Sequence, residues 1–362
     1  MATSLSGCTE HHEQTQVEFA TSQPHEGSPA TEFERTPDRS FVRTFYNAKL
    51  TFPDGLRTEI WSFEDATSGR RFPAPLTRAN EGEIVHVTVR PSKRVHTIHH
   101  HGMEPDPRND GVGHTSFEVT GQYTYQWRPQ VGEPGNPNLG SAGSYFYHCH
   151  VNTVLHVQMG MFGPMIFDPP TGRGTAFIDD PVGYDRTCEA ILVPFAVDPR
   201  WHKLDHAAGL GGEDVGLNRF EPTNFYLLGG DLSGGTGRVP AKNAPAVQIC
   251  SRILARPPGE QPGLLRILDA QYFPTVVRFG GGLRAELIAH DGRPFRDTTQ
   301  RPSPPISVLT DVIRVGTAER YDMRLRPPAG ARSGDSFPVT VEFLHWITGA
   351  VVGTQTTRVD VV

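Results

Sequence analysis

The sequence predicts an all-β chain built as two β-sandwich domains behind an N-terminal arm. Three observations predict it. From residue 40 onward, short segments alternate apolar and polar residues with the period of two that marks a strand. Turn-forming clusters such as EPGNPNLGSAGS and FDPPTGRGT separate them, drawn from 38 Gly and 32 Pro. No stretch carries the longer period of a sustained helix. The chain has 362 residues, and at about 150 residues per domain that accommodates two cores.

Residues 1–38 are polar, rich in Ser, Thr, Glu, Gln and Pro, and lack apolar periodicity. They read as a disordered or extended arm. A secretory leader needs a basic start and an apolar stretch of roughly 7–15 residues. Neither is visible, so a cytoplasmic location is expected unless a leader is missing. The first domain is expected over 39–170, where FVRTFYNAKLTF, EIVHVTVRP, YTYQWRP and SYFYHCHV read as strands. Residues 171–185 read as a Pro- and Gly-rich linker. The second domain is expected over 186–362. Its strands are AILVPFAVD, NFYLLGG, GLLRILDA, TVVRFGG, AELIAHDG, DVIRVGT, RYDMRLRP, PVTVEFLHWITG and TRVDVV.

Composition narrows the function. A net charge of -6 argues against a sequence-independent nucleic-acid partner. Mean hydropathy is -0.40, and no run approaches the ~20 apolar residues of a membrane helix. Four Cys make no disulfide scaffold. Cys8 reads as a free thiol in the arm. Cys188 and Cys250 read as isolated buried thiols rather than a pair.

The 16 His carry the chemistry. Two segments stand out: VHTIHHHGMEP, with His96, His99, His100 and His101, and YFYHCHVNTVLHVQMGM, with His148, Cys149, His150, His156, Met159 and Met161. In an extended segment neighbouring side chains face opposite ways. Cys149 therefore faces one side, and His148 and His150 the other. The following loop offers His156 and then Met161. One thiolate, imidazoles and a weak thioether are the soft ligand set of a blue copper centre. His96 faces the other way from His99 and completes that set. A second metal position follows behind it, from His99, His101, His148 and His150. His100 reads as a supporting or surface residue, Met159 as core, and His114 as a turn residue near the site. WHKLDH, with His202 and His206, reads as a surface turn. A chance basic patch is the bland alternative. The joint pattern H-x-x-H-x-H-G and, downstream, H-C-H-x5-H-x4-M weighs against it.

These segments resemble the multicopper oxidases, the laccase-like cupredoxin enzymes. HTIHHHG resembles their H-x-x-H-x-H-G element, which implies type 1 copper at His96, type 2 at His99 and type 3 at His101. YHCHVNTVLHVQMGM resembles their His-Cys-His element, with two extra residues between His150 and His156. It implies type 3-like ligands at His148 and His150, and type 1 ligands at Cys149, His156 and Met161. MEPDPRNDGVGHTSFEVTGQYTYQWRP is also similar to the family's first domain. There Asp110 matches an acid that supplies protons to the oxygen-reducing cluster. GLLRILDAQYFPTVVRFGGGLRAELIAHDGRPF looks like a copper-free second cupredoxin domain.

The resemblance implies two cupredoxin-like Greek-key sandwiches, the second without its own type 1 copper. It implies one-electron oxidation of a small-molecule or metal-ion donor at type 1 copper. Electrons would pass to a second copper site that reduces oxygen or another small oxidant. It also implies a homotrimer. The chain departs from the pattern beyond residue 162, where His202, His206, His290 and His345 include no H-x-H. A full trinuclear cluster draws on a second H-x-H-bearing domain. A weaker resemblance is to the copper nitrite reductases, trimers in which a neighbour donates a His to type 2 copper. His345, in VEFLHWITGAVVG, stands where that His would be. Against this, position 99 is His where those enzymes carry an acid. Three readings stay open: a laccase-like oxidase, a nitrite-reductase-like enzyme, and a non-catalytic copper-binding or electron-transfer protein. The donor is not legible, because its pocket is built from variable loops.

Overall fold

A computed structural model describes residues 16–17, 36–65, 69–91, 95–103, 105–113, 115–204, 220–234 and 246–362. Most of the arm, Cys8, His114 and His206 lie outside the described residues. The first half of the chain forms β1 Gln16–Val17, β2 Arg39–Thr51, β3 Arg57–Asp65, β4 Gly69–Phe72, β5 Thr77–Asn80 and β6 Val85–Arg90. It continues with β7 His99–His101, α1 Pro107–Asp110, β8 Glu118–Val119, β9 Tyr123–Trp127, β10 Gly143–His148, α2 Thr153–Met159 and β11 Phe162–Asp168. The second half opens with β12 Glu189–Val197, α3 Pro199–Leu204, β13 Asn224–Asp231, β14 Ala246–Val247, β15 Ile253–Ala255 and β16 Leu264–Leu268. It ends with β17 Thr275–Phe279, β18 Arg284–His290, β19 Arg293–Pro294, β20 Val308–Thr310, β21 Val312–Val315, β22 Arg320–Arg326, β23 Ser336–Leu344 and β24 Val351–Val361. Among the described residues no helix is long and apolar enough to cross a membrane.

The alternation read from sequence becomes two sandwiches. In the first, a sheet of order β14-β4-β3-β2-β6-β9 packs on one of order β5-β11-β10-β7. Val85, Val87, Val89, Tyr125 and Trp127 of one sheet meet Tyr145, Tyr147, Met165 and Phe167 of the other in a common core. The edge strand β14 comes from the second half of the chain and lies parallel to β4. In the second sandwich, β13-β12-β16-β22-β18-β19, with β20 on β18, faces β15-β24-β23-β17-β21. Every expected strand segment contains a strand.

One feature of the strands differs from expectation. Strands β10, β11 and β12 are buried on both faces rather than one. The reason is a second core between the sandwiches. Phe146, Phe162 and Ile166 pack there against Ile191, Val193 and Phe195. A buried polar cluster accompanies it. Glu189 accepts hydrogen bonds from Arg78 at 3.0 Å, Arg173 at 2.8 Å and Arg266 at 2.9 Å. Arg78 also forks onto Asp168 at 2.6 and 2.7 Å. Burial alone would raise the Glu189 pKa, but Arg266 and Arg78 pull it down to about 2. Cys188 and Cys250 are buried, unpaired thiols, as the sequence suggested.

Candidate metal centre

The register of β10 against β7 builds the first cluster. His148 lies opposite His99, and Phe146 opposite His101. Directly opposed residues point to the same face of a sheet, so His99, His101 and His148 converge. Their ring centroids lie 5.1 Å apart for His99 and His148, 5.7 Å for His101 and His148, and 5.6 Å for His99 and His101. One ring nitrogen from each falls within 4.8 Å of the others. The His150 ring stands beside them, 5.5 Å from His99 and 5.8 Å from His148.

The second cluster lies across β10. The strand ends at His148, yet the Cys149 N–H still donates to the Met161 carbonyl at 3.1 Å. That bond holds Cys149 in the extended phase, with its sulfur on the core side. His96 is fixed by reciprocal backbone bonds to Val119, both 3.1 Å. The segment read as a loop after His150 is instead the helix α2, and His156 sits within it. Asn152 opens it in the left-handed region and Gly160 closes it at φ +111°. The Met161 N–H then returns to the His156 carbonyl at 2.8 Å. His156 Nδ1 lies 3.1 Å from Cys149 Sγ, and His96 Nδ1 lies 3.5 Å from it. All three residues are buried, and so is Met161.

The protonation states suit a soft cation. Burial pushes the Cys149 thiol up to about 12, so a thiolate there needs a bound positive charge. Burial, reinforced by Arg320, lowers His101 to about 3. It also holds His148 well below the usual imidazole range. Both rings are therefore neutral and carry a lone pair. His148 Nδ1–H donates to the Cys149 carbonyl at 2.9 Å, which leaves Nε2 for a metal. His99 Nδ1–H donates to the Asp110 carbonyl at 2.9 Å, with the Asp110 carboxylate at 3.2 Å. The same orientation follows for His99. This donor set, one sulfur with two imidazoles and three imidazoles behind, fits copper by ligand softness.

Other residues fall differently from expectation. His100 is buried, its ring between Tyr125 at 5.4 Å and Trp127 at 5.3 Å, because its place in β7 turns it into the core. His202 is buried in α3 rather than in a surface turn, since α3 packs against β3. His345 belongs to neither cluster. Its Nδ1 accepts the N–H groups of Ile347 and Thr348, each at 3.2 Å. Phe45, its ring tilted against His96 at 4.1 Å, and Trp61, edge-on 5.6 Å from His156, were missed. Nothing in the strand pattern distinguishes them from other core aromatics.

With this geometry in hand, comparison with known proteins is specific. Residues 47–172 match the family model of the multicopper oxidases. That stretch is similar to a multicopper oxidase domain. The chain is 31% identical over 147 residues to L-ascorbate oxidase of Cucumis sativus, covering 39% of this chain and 21% of that protein. It is 25% identical over 354 residues to a copper resistance protein A homolog of Pseudomonas syringae pv. tomato, covering 85% of this chain and 50% of that one. The chain thus spans half or less of the length of these relatives. Among solved structures, a blue copper oxidase from Nitrosomonas europaea superposes with a TM-score of 0.57 at 21% identity. That match covers 89% of this chain and 86% of the other. At this identity the likeness shows the cupredoxin fold.

Proposed function

We propose that the protein is a copper-dependent oxidoreductase of the multicopper oxidase type. The observation that carries this reading is the pair of donor clusters on the two faces of one strand end. His96, Cys149, His156 and Met161 hold type 1 copper in this reading. His99, His101, His148 and His150 hold a second copper site. Copper bound at the two positions would supply one-electron redox change and, behind, a Lewis-acid contact for oxygen or another small oxidant.

The chain's own residues prepare the site. The peptide bonds from Cys149 to His148 and His150 are the covalent link between the clusters. Phe45 and Trp61 exclude water from the sulfur side. Asp110 keeps His99 in the Nε2-facing tautomer through its carbonyl. Its carboxyl group, 24% exposed, reaches both solvent and the His99 ring and would hold the proton delivered to the oxidant. The second cluster is a half-site: the chain has no second H-x-H element beyond residue 162, and the homotrimer that the resemblance implies would repeat the same residues. The donor is a small molecule or a metal ion.

The nitrite-reductase-like reading asks the neighbour's His345 for a ligand. In this structure His345 Nδ1 accepts two N–H groups, so the neutral ring carries its proton on Nε2. That leaves it no lone pair to donate, and weighs against the reading. Copper content and oxygen uptake on a phenolic donor separate the alternatives. Two or more coppers per chain with oxygen uptake support the oxidase. One copper, intense blue colour and no uptake favour an electron-transfer protein. Nitrite turnover that disappears in His345→Ala favours the nitrite-reductase-like enzyme.

A further inference from the structure

The second sandwich carries no copper ligand in this reading, yet it makes several hydrogen bonds to the helix that presents His156. We propose that it acts as a clamp on α2, with His202 and Gln158 as positioning residues for the sulfur–imidazole site. The inference rests on the reading that His96, Cys149 and His156 hold copper.

Gln158 lies two residues after His156 and is 1% exposed. Its side-chain amide donates to the Ala196 carbonyl of β12 at 3.1 Å and to His202 Nε2 at 3.2 Å. His202, 4% exposed, donates from Nδ1 to the Glu59 carbonyl of β3 at 2.6 Å. The one imidazole therefore joins α2 to β3. From β3, the Glu59 carboxylate accepts the Trp61 indole N–H at 2.8 Å, and the Trp61 ring packs edge-on against His156. A third tie comes from Tyr272, whose hydroxyl donates to the Val154 carbonyl in α2. His156 is thus held from its helix and from its ring by contacts that converge on His202.

The ring can do this only as the neutral tautomer protonated on Nδ1, and burial lowers its pKa. A helix of seven residues is too short to hold its own shape in water. Tertiary contacts must fix it. Mere packing of two domains would be served equally by apolar residues at 158 and 202. Two buried polar groups, each with a specific partner, restrict the position of α2 further than packing does.

The test uses full-length protein titrated with copper(II), and metal-free protein for hydrogen exchange. His202→Leu and Gln158→Leu should each weaken copper retention about tenfold, as loss of an outer partner of a metal ligand does. Each should also change the EPR hyperfine splitting and the thiolate charge-transfer band. His202→Gln, which can donate to Glu59, should restore most of the wild-type spectrum. In metal-free wild type, the α2 amides should exchange as slowly as those of β12. Tyr272→Phe should speed the α2 amides alone. Wild-type spectra and retention in folded leucine variants would overturn the clamp. So would α2 amides in wild type that exchange far faster than β12, a result that needs no variant to fold. A wild type that stays colourless with copper would instead sink the metal reading itself.

Discussion

Cys149 is the residue on which both clusters turn. Replacing it with Ser should abolish the blue band and lower copper content by one per chain, while the imidazole cluster keeps its metal. Elemental analysis with visible spectroscopy checks both. Asp110→Asn should leave copper content unchanged, because the backbone carbonyl still orients His99. It should lower oxygen turnover about a hundredfold and flatten its pH profile. Unchanged turnover and pH profile would remove Asp110 from the mechanism. His202 gives a pH prediction. Its folded pKa is lowered, so the unfolded chain binds more protons below about pH 6.5. Stability of metal-free protein should therefore fall as pH drops through that value. His202→Gln should reduce the slope, by at most about 1.4 kcal/mol per pH unit, measured by denaturant titration.

At this scale the sequence was most legible. Sulfur and imidazole spacing identified His96, Cys149 and His156 as one group, and His99, His101 and His148 as another. Aromatic packing partners were illegible, since their role depends on long-range contacts.

At the level of elements, α1 and its turn position the second cluster. Gly111 caps α1 at φ +75°, and a Cβ there would lie 1.9 Å from the Ile98 carbonyl oxygen. Gly111→Ala should cost about 2 kcal/mol or more. It should also pull the Asp110 carbonyl from His99, so copper at the imidazole cluster falls while the blue band persists. Loss of both together would contradict the division into two clusters. Strands were legible because their alternation is local. Helices α2 and α3 were not. Their seven and six residues are too few to express a helical period, and tertiary hydrogen bonds hold them.

For the whole molecule, the two sandwiches share one buried polar cluster around Glu189. Glu189→Gln should destabilise the chain by about 3 kcal/mol, because Arg78, Arg173 and Arg266 would lose a common counter-charge. Thermal unfolding should then separate into two transitions as the sandwiches part. A single transition at the wild-type midpoint would show that the cluster contributes nothing. The two-sandwich architecture could be read from strand count and turn clusters. The doubly buried strands β10, β11 and β12 could not, because burial of the outer face arises only when the sandwiches meet.

The most direct measurement is the EPR spectrum of copper-loaded full-length protein, compared with Cys149→Ser. The account predicts two signals. One, with narrow hyperfine splitting, vanishes in the serine variant, and an ordinary copper signal from the imidazole side survives. A spectrum indifferent to that substitution would contradict it.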